Sequence, residues 1–127
     1  MKLLDTVVFV SSLNPAANNH KTAISHMMSL RSSRDIFVPS STLTELDLVL
    51  RNNGYTRSEI FETWQALGPL IGQKLAATTP TAHQMAAMLR LKGLAYFDSL
   101  ITALALEKNA IVITKDADIA KHVQTEW

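Results

Sequence analysis

Apolar runs of strand length alternate with longer segments of helical periodicity along this chain, and that alternation restricts the fold more than any other feature. Residues 2–9, Lys2-Leu3-Leu4-Asp5-Thr6-Val7-Val8-Phe9, are rich in apolar and β-branched types and predict a strand buried on both faces. After Asn14-Pro15 a helix is expected over 16–30, because proline is favoured near a helix start. Ile36-Phe37-Val38, ended by Pro39, reads as a short strand. Leu43, Leu46 and Leu50 then recur at helical spacing until Asn52-Asn53-Gly54 stops them.

Thr56-Arg57-Ser58-Glu59 has capping-box form and opens a helix through Ile60, Phe61, Trp64 and Leu67, which Gly68-Pro69 should end or bend. Lys74 to Thr78 is expected as a short strand, and Pro80 as the start of a helix carrying Met85, Met88 and Leu89. Leu100 to Leu106 reads as another helix, Ile111-Val112-Ile113 as a strand, and Ala117 to His122 as a short helical segment. Such an order predicts an α/β fold with a parallel sheet covered on both faces. In sheets of that kind ligands bind beyond the carboxyl ends of the strands.

No low-complexity tract, repeat or linker divides the 127 residues, so one domain spanning 1–127 is expected, large enough to bury a core without staples. There are no cysteines, which excludes disulfides, zinc thiolate sites and thiol nucleophiles and is compatible with a reducing cytoplasm. Asp5 interrupts the first apolar stretch before a signal-peptide core could form, and no run is long enough to span a bilayer, so no membrane partner is expected. A net charge of +1 gives no bulk pull toward nucleic acid, so any polyanion must be held by local arginines and lysines.

Four carboxylates lie at or near the edges of the apolar segments: Asp5, Glu45, Asp98 and Asp116. Each has a plain structural reading. Asp116 can cap the terminal helical turn, Asp98 can cap the helix that follows it, and Glu45 stands at capping-box spacing from Thr42. Asp5 is harder to explain, because it lies within a strand-like apolar run where an unpaired buried charge is costly, and Lys2 is the one cation near it in sequence. The inferred fold places Asp5, Asp98 and Asp116 toward one sheet edge. Gathered carboxylates repel one another unless a cation compensates. Oxygen ligands without cysteine favour magnesium or manganese over zinc.

At these positions the chain resembles a PIN-domain ribonuclease, in particular the toxin of a VapBC-type toxin–antitoxin pair. The resemblance rests on Leu4-Asp5-Thr6, on Val38-Pro39 followed by Leu43-Thr44-Glu45-Leu46, on Gly93-Leu94 followed by Asp98-Ser99-Leu100-Ile101 with Ala103 and Ala105, and on Ile113-Thr114-Lys115-Asp116-Ala117-Asp118. It implies a three-layer α/β/α PIN-like domain with a central parallel sheet of about four or five strands. It implies Asp5, Glu45, Asp98 and Asp116 as the catalytic, metal-binding acids, with Thr6, Thr114 and Asp118 in support. Endoribonuclease activity with magnesium or manganese, a cytoplasmic homodimer and a small antitoxin whose tail blocks the acidic pocket are implied as well. One departure is Val7, where the family often has asparagine or serine.

Other candidates have plainer readings. His20, His26, His83 and His122 lack the close helical pairing of metal ligands. Arg31, Arg34, Arg51, Arg57 and Lys92 read as solvated charge, whereas Lys115, beside Asp116, is the candidate for an RNA phosphate contact. Trp64, Phe61 and Leu67 share a helix face expected in the core or at a dimer interface, and Met27, Met28, Met85 and Met88 read as packing or as a groove for a partner helix. A housekeeping RNA-processing nuclease and a non-catalytic RNA- or protein-binding scaffold are the competing functions. An aspartate-based phosphohydrolase is disfavoured by Val7 and Leu3-Leu4, which stand where such designs place a second acid.

Overall fold

The computed structural model describes residues 1–127. In chain order the elements are β1 (Lys2–Leu4), α1 (Thr6–Leu13), α2 (His20–Ser32), β2 (Ile36–Pro39), α3 (Ser40–Asn52) and α4 (Arg57–Ile71). A 3₁₀ turn (Gly72–Lys74) leads to β3 (Leu75–Ala76), α5 (Pro80–Leu91), α6 (Tyr96–Lys108), β4 (Ile111–Ile113), α7 (Ala117–Ala120) and β5 (Thr125–Glu126). The five strands form one sheet in the order β3-β2-β1-β4-β5, and every neighbouring pair is parallel. No helix is long and apolar enough to cross a membrane.

The inner strands β1, β2 and β4 are largely buried, and strand alternation sends their successive residues into different cores. Leu4 and Ile113 join Val8, Phe9, Met27, Leu30, Leu46, Leu50 and Leu67 on the face covered by α1 to α4. Leu3 and Val112 join Ile101, Leu104 and Ile119 on the face covered by α6 and α7. A third cluster, including Ala82, Ala86, Leu89 and Ala103, seats α5 on α6, and its alanines let those two helices approach closely. This is the three-layer α/β/α arrangement, with β1 at its centre.

Several expectations change. The run 2–9 is a strand only to Leu4: the Asp5 carboxylate accepts the Thr6 amide, and Thr6–Leu13 is helical. The β-branched residues there favour a strand locally, but burial of Val8 and Phe9 against Met27 and Leu30 of α2 outweighs that preference. The helix expected over 16–30 begins at His20 and ends at Ser32. The capping box at Thr56 and Glu59 forms with both bonds at 3.1 Å. Gly68-Pro69 does not end α4, which continues to Ile71 and stops at Gly72, where φ is +39°. Lys74 is in the 3₁₀ turn, leaving a two-residue β3 in place of the strand expected over 74–78. The helix expected from Leu100 starts at Tyr96, so Asp98 lies within its first turn rather than before it; Ala95 is the cap residue. Pro39 precedes the first turn of α3, which places Thr42 inside the helix and removes the capping-box reading of Thr42 and Glu45. Phe61 is 64% exposed and does not share the buried side occupied by Leu67. Met27 is core, whereas Met28 and Met88 are largely exposed.

Candidate active site

The central strand β1 delivers Asp5 to the carboxyl edge of the sheet, and β4 beside it delivers Thr114 and then Asp116. Asp5 is buried and held from two sides: Oδ1 accepts the Thr6 amide at 2.7 Å and Oδ2 accepts the Thr114 hydroxyl at 2.6 Å. The same Thr114 hydroxyl accepts the Asp116 amide at 3.0 Å, tying the two aspartates through one oxygen. Asp116 Oδ1 in turn accepts the amides of Asp118 and Ile119 at 2.7 and 3.0 Å, so the cap reading of Asp116 holds alongside its place in the site.

Glu45 arrives from α3, where the Thr6 hydroxyl donates to its Oε2. Thr42, one turn earlier on α3, donates its hydroxyl to the Leu4 carbonyl at 3.1 Å and moors that helix to the end of β1. Local sequence made Thr42 look like a cap, and the signal for its mooring role lies only in the tertiary contact. Asp98 enters from the first turn of α6, half-buried and without a hydrogen-bonding partner for its carboxylate. Thr6, next to Asp5, supplies both an amide to Asp5 and a hydroxyl to Glu45.

The acids perturb one another. Burial raises the pKa of Asp5, against the hydrogen bonds from Thr114 and Thr6, and Asp116 raises it further. Glu45 is raised by burial, against the Thr6 hydroxyl, with Asp5 and Asp116 adding to the shift. Asp98 is pushed up from 3.8 to about 6, first by burial and then by the negative charges of Asp116, Asp5, Glu45 and Asp118. Of the salt bridges in the fold, none reaches these four acids: Lys2 pairs with Glu126 at 2.6 Å, and Lys121 pairs with Asp118 at 2.8 Å. Asp118 is exposed, and Lys121 lowers its pKa, so it contributes field at Asp98 from the rim.

The donor set is therefore oxygen alone, with excess negative charge and no internal cation, which is the chemistry of a hard divalent ion. No three acids or histidines converge closely enough to enclose an ion in a ready-made cage. The side chains share one neighbourhood and fit such an ion by charge and donor type rather than by prearranged geometry.

Lys115 is exposed beside Asp116, its ammonium 5.7 Å from the centre of the Trp127 ring. The β4–β5 register, with Ile113 opposite Glu126, brings Trp127 level with Thr114, and the indole also meets the edge of His26 at 5.4 Å. A two-residue β5 has no periodicity to reveal it, so nothing local in the sequence announced Trp127. His20 is structural, with Nδ1 2.8 Å from the Ser11 carbonyl, while His83 and His122 are exposed.

A family model described as PIN domain matches residues 2–124, and the chain belongs to that family. Among solved structures it is similar to FitAcB from Neisseria gonorrhoeae, at 23% identity and TM-score 0.75 over 98% of this chain and 96% of that one. It is also similar to VapBC2 from Rickettsia felis bound to a DNA fragment from their promoter, at 16% identity and TM-score 0.74 over 99% and 98% of the two chains. A third is VapC20 of Mycobacterium tuberculosis, a sarcin-ricin loop cleaving toxin, at 15% identity and TM-score 0.73 over 95% and 94%. No protein of curated function matches the chain significantly.

Proposed function

We propose that the chain is a divalent-metal-dependent endoribonuclease and the toxin of a toxin–antitoxin pair. The observation that carries this reading is the group of four mutually repelling acids, Asp5, Glu45, Asp98 and Asp116, lacking a cation at the carboxyl edge of a PIN-family sheet. The toxin setting draws support from the sarcin-ricin loop cleaving activity named for VapC20 and from the VapBC2 complex, both alike in fold. A homodimer, a cytoplasmic location and a small inhibitory antitoxin belong to the same proposal.

When bound, magnesium or manganese supplies a polarised phosphoryl oxygen and a water of lowered pKa. The chain's residues prepare for both. Thr114 and the Thr6 amide fix the two oxygens of Asp5, so that carboxylate presents a set orientation. Thr6 likewise orients Glu45, while Asp98, whose carboxylate makes no hydrogen bond within the chain, is free to turn toward a bound ion. Lys115 stands beside Asp116 as a cation for a substrate phosphate.

The test is cleavage of single-stranded RNA by purified wild type and Asp98→Asn, with magnesium or manganese and with chelator. Metal-dependent cutting by wild type alone is the expected result. Equal cutting by both proteins would overturn the assignment.

A further inference from the structure

A pocket of about 260 Å³ opens between the first turns of α3 and α6 and the start of α5, lined by Ser41, Thr44, Thr78, His83, Tyr96 and Phe97 among others. It neighbours the acids along the chain: Thr44 precedes Glu45 on α3, and Phe97 precedes Asp98 on α6. It lies just past the ends of β2 and β3, so along the carboxyl edge it comes before Asp5 on β1 and the Asp116 loop after β4.

Its volume falls below the roughly 300–1,000 Å³ of sites for drug-sized ligands and suits a single planar heterocycle. One wall is aromatic and already fixed. Tyr96 is 55% exposed, yet its ring is braced by the Phe97 ring, edge-on at 5.2 Å, and by the Arg90 guanidinium 4.9 Å from its centre. Arg90 is itself anchored by donating to the Ser99 hydroxyl at 2.8 Å. Much of the remaining lining is polar: the Thr78 amide donates to the Ser40 hydroxyl at 3.1 Å, tying α3 to the segment before α5. The Ser41 hydroxyl and the His83 imidazole make no hydrogen bond within the chain, so both can serve a ligand. A stacking wall facing unspent donors and acceptors is how proteins hold an unpaired base.

We propose that this pocket is a subsite for one unpaired nucleobase flanking the scissile phosphate of single-stranded RNA, stacked on the Tyr96 ring with Phe97 edge-on beside it, and read by Ser41 and His83. The proposal rests on the nuclease reading and adds to it the part of the substrate that selects where the strand is cut.

The experiment is an abasic scan: RNA oligonucleotides with one base removed at each position around the mapped cut, offered with manganese to wild type, Tyr96→Ala, Tyr96→Phe and His83→Ala. In wild type, base removal at one position raises KM roughly tenfold, the effect of losing one stacked base. In Tyr96→Ala the KM for intact RNA is already raised and removing that base adds little, while Tyr96→Phe behaves as wild type. His83→Ala, at an exposed position, changes which base is preferred there and keeps the test alive should Tyr96→Ala not fold. A flat scan in wild type, or an undiminished penalty in Tyr96→Ala, overturns the subsite. So does a flat scan accompanied by loss of self-association in Tyr96→Ala, which would assign the wall to a protein interface. If wild type cuts no RNA, the nuclease reading fails separately, and the same scan read by fluorescence anisotropy still decides the pocket.

Discussion

Lys2 and Asp5 bracket the same three-residue strand and meet opposite fates. The Lys2 ammonium finds Glu126 at 2.6 Å, and the start of β1 is charge-balanced. Asp5 is more deeply buried, receives only neutral donors, and shares its surroundings with three further acids. Ordinary stability favours pairing a buried charge, so the unbalanced end marks where the fold carries a cost that a bound cation would relieve.

The contrast is broken most severely at the acids. Asp5→Asn or Asp98→Asn should each lower metal-dependent RNA cleavage by roughly a thousandfold, in line with losing a charge that holds the catalytic ion and orients the reacting groups. Quantitative cleavage assays on proteins with wild-type circular dichroism check this. Thr114→Val comes next, since it removes the buried donor to Asp5 and strands the Asp116 amide. About 1–3 kcal/mol of stability should be lost in denaturant titration, and cleavage should fall as Asp5 loses its orientation.

The pH dependence sharpens the comparison further. The raised pKa of Asp98 means that the folded protein holds a proton where the unfolded chain has released one. Its contribution to stability is therefore fully present below the unfolded value of 3.8 and is lost as pH rises through about 6. Metal-free protein should lose a few degrees of Tm across that window, and magnesium or manganese should restore them at neutral pH. Asp98→Asn should flatten this part of the profile; an unchanged slope by calorimetry would remove Asp98 as its source. The smallest effect belongs to the balanced end: Lys2→Met breaks a partly exposed pair and should cost below about 1 kcal/mol, with cleavage unaltered.

How much of this was legible depends on whether the deciding contact was local. Ile111-Val112-Ile113 and the Thr56–Glu59 box could be read directly, because the pattern and its physical cause sit in adjacent residues. The alternation of strands and helices likewise foretold the parallel sheet, at whose carboxyl edge Asp5 and Asp116 lie. Thr6-Val7-Val8-Phe9 misled, since its strand propensity is local while the core that makes it a helix comes from α2. At Gly68-Pro69, where the sequence allowed an end or a bend, proline removes an amide hydrogen bond but α4 carries on past it to Ile71. Glu45 shows the same division, with a capping-box spacing in the sequence and a tertiary partner, Thr6, in the fold. The Tyr96 wall was out of reach, because its brace joins α5 to α6 through Arg90.

The hydroxyl of Thr114 has a consequence in time. It meets Asp5 across 109 residues of chain, so a growing polypeptide contains Asp5 well before Thr114 and cannot orient it until β4 has been made and has docked beside β1. The acid cluster is completed only when Asp116 follows. Domains that fold as they are synthesised pass through partial states, and here every state that precedes Asp116 lacks part of the acid cluster. On the proposed nuclease reading, the ability to cut therefore comes late, only after β4 and the Asp116 loop have joined β1.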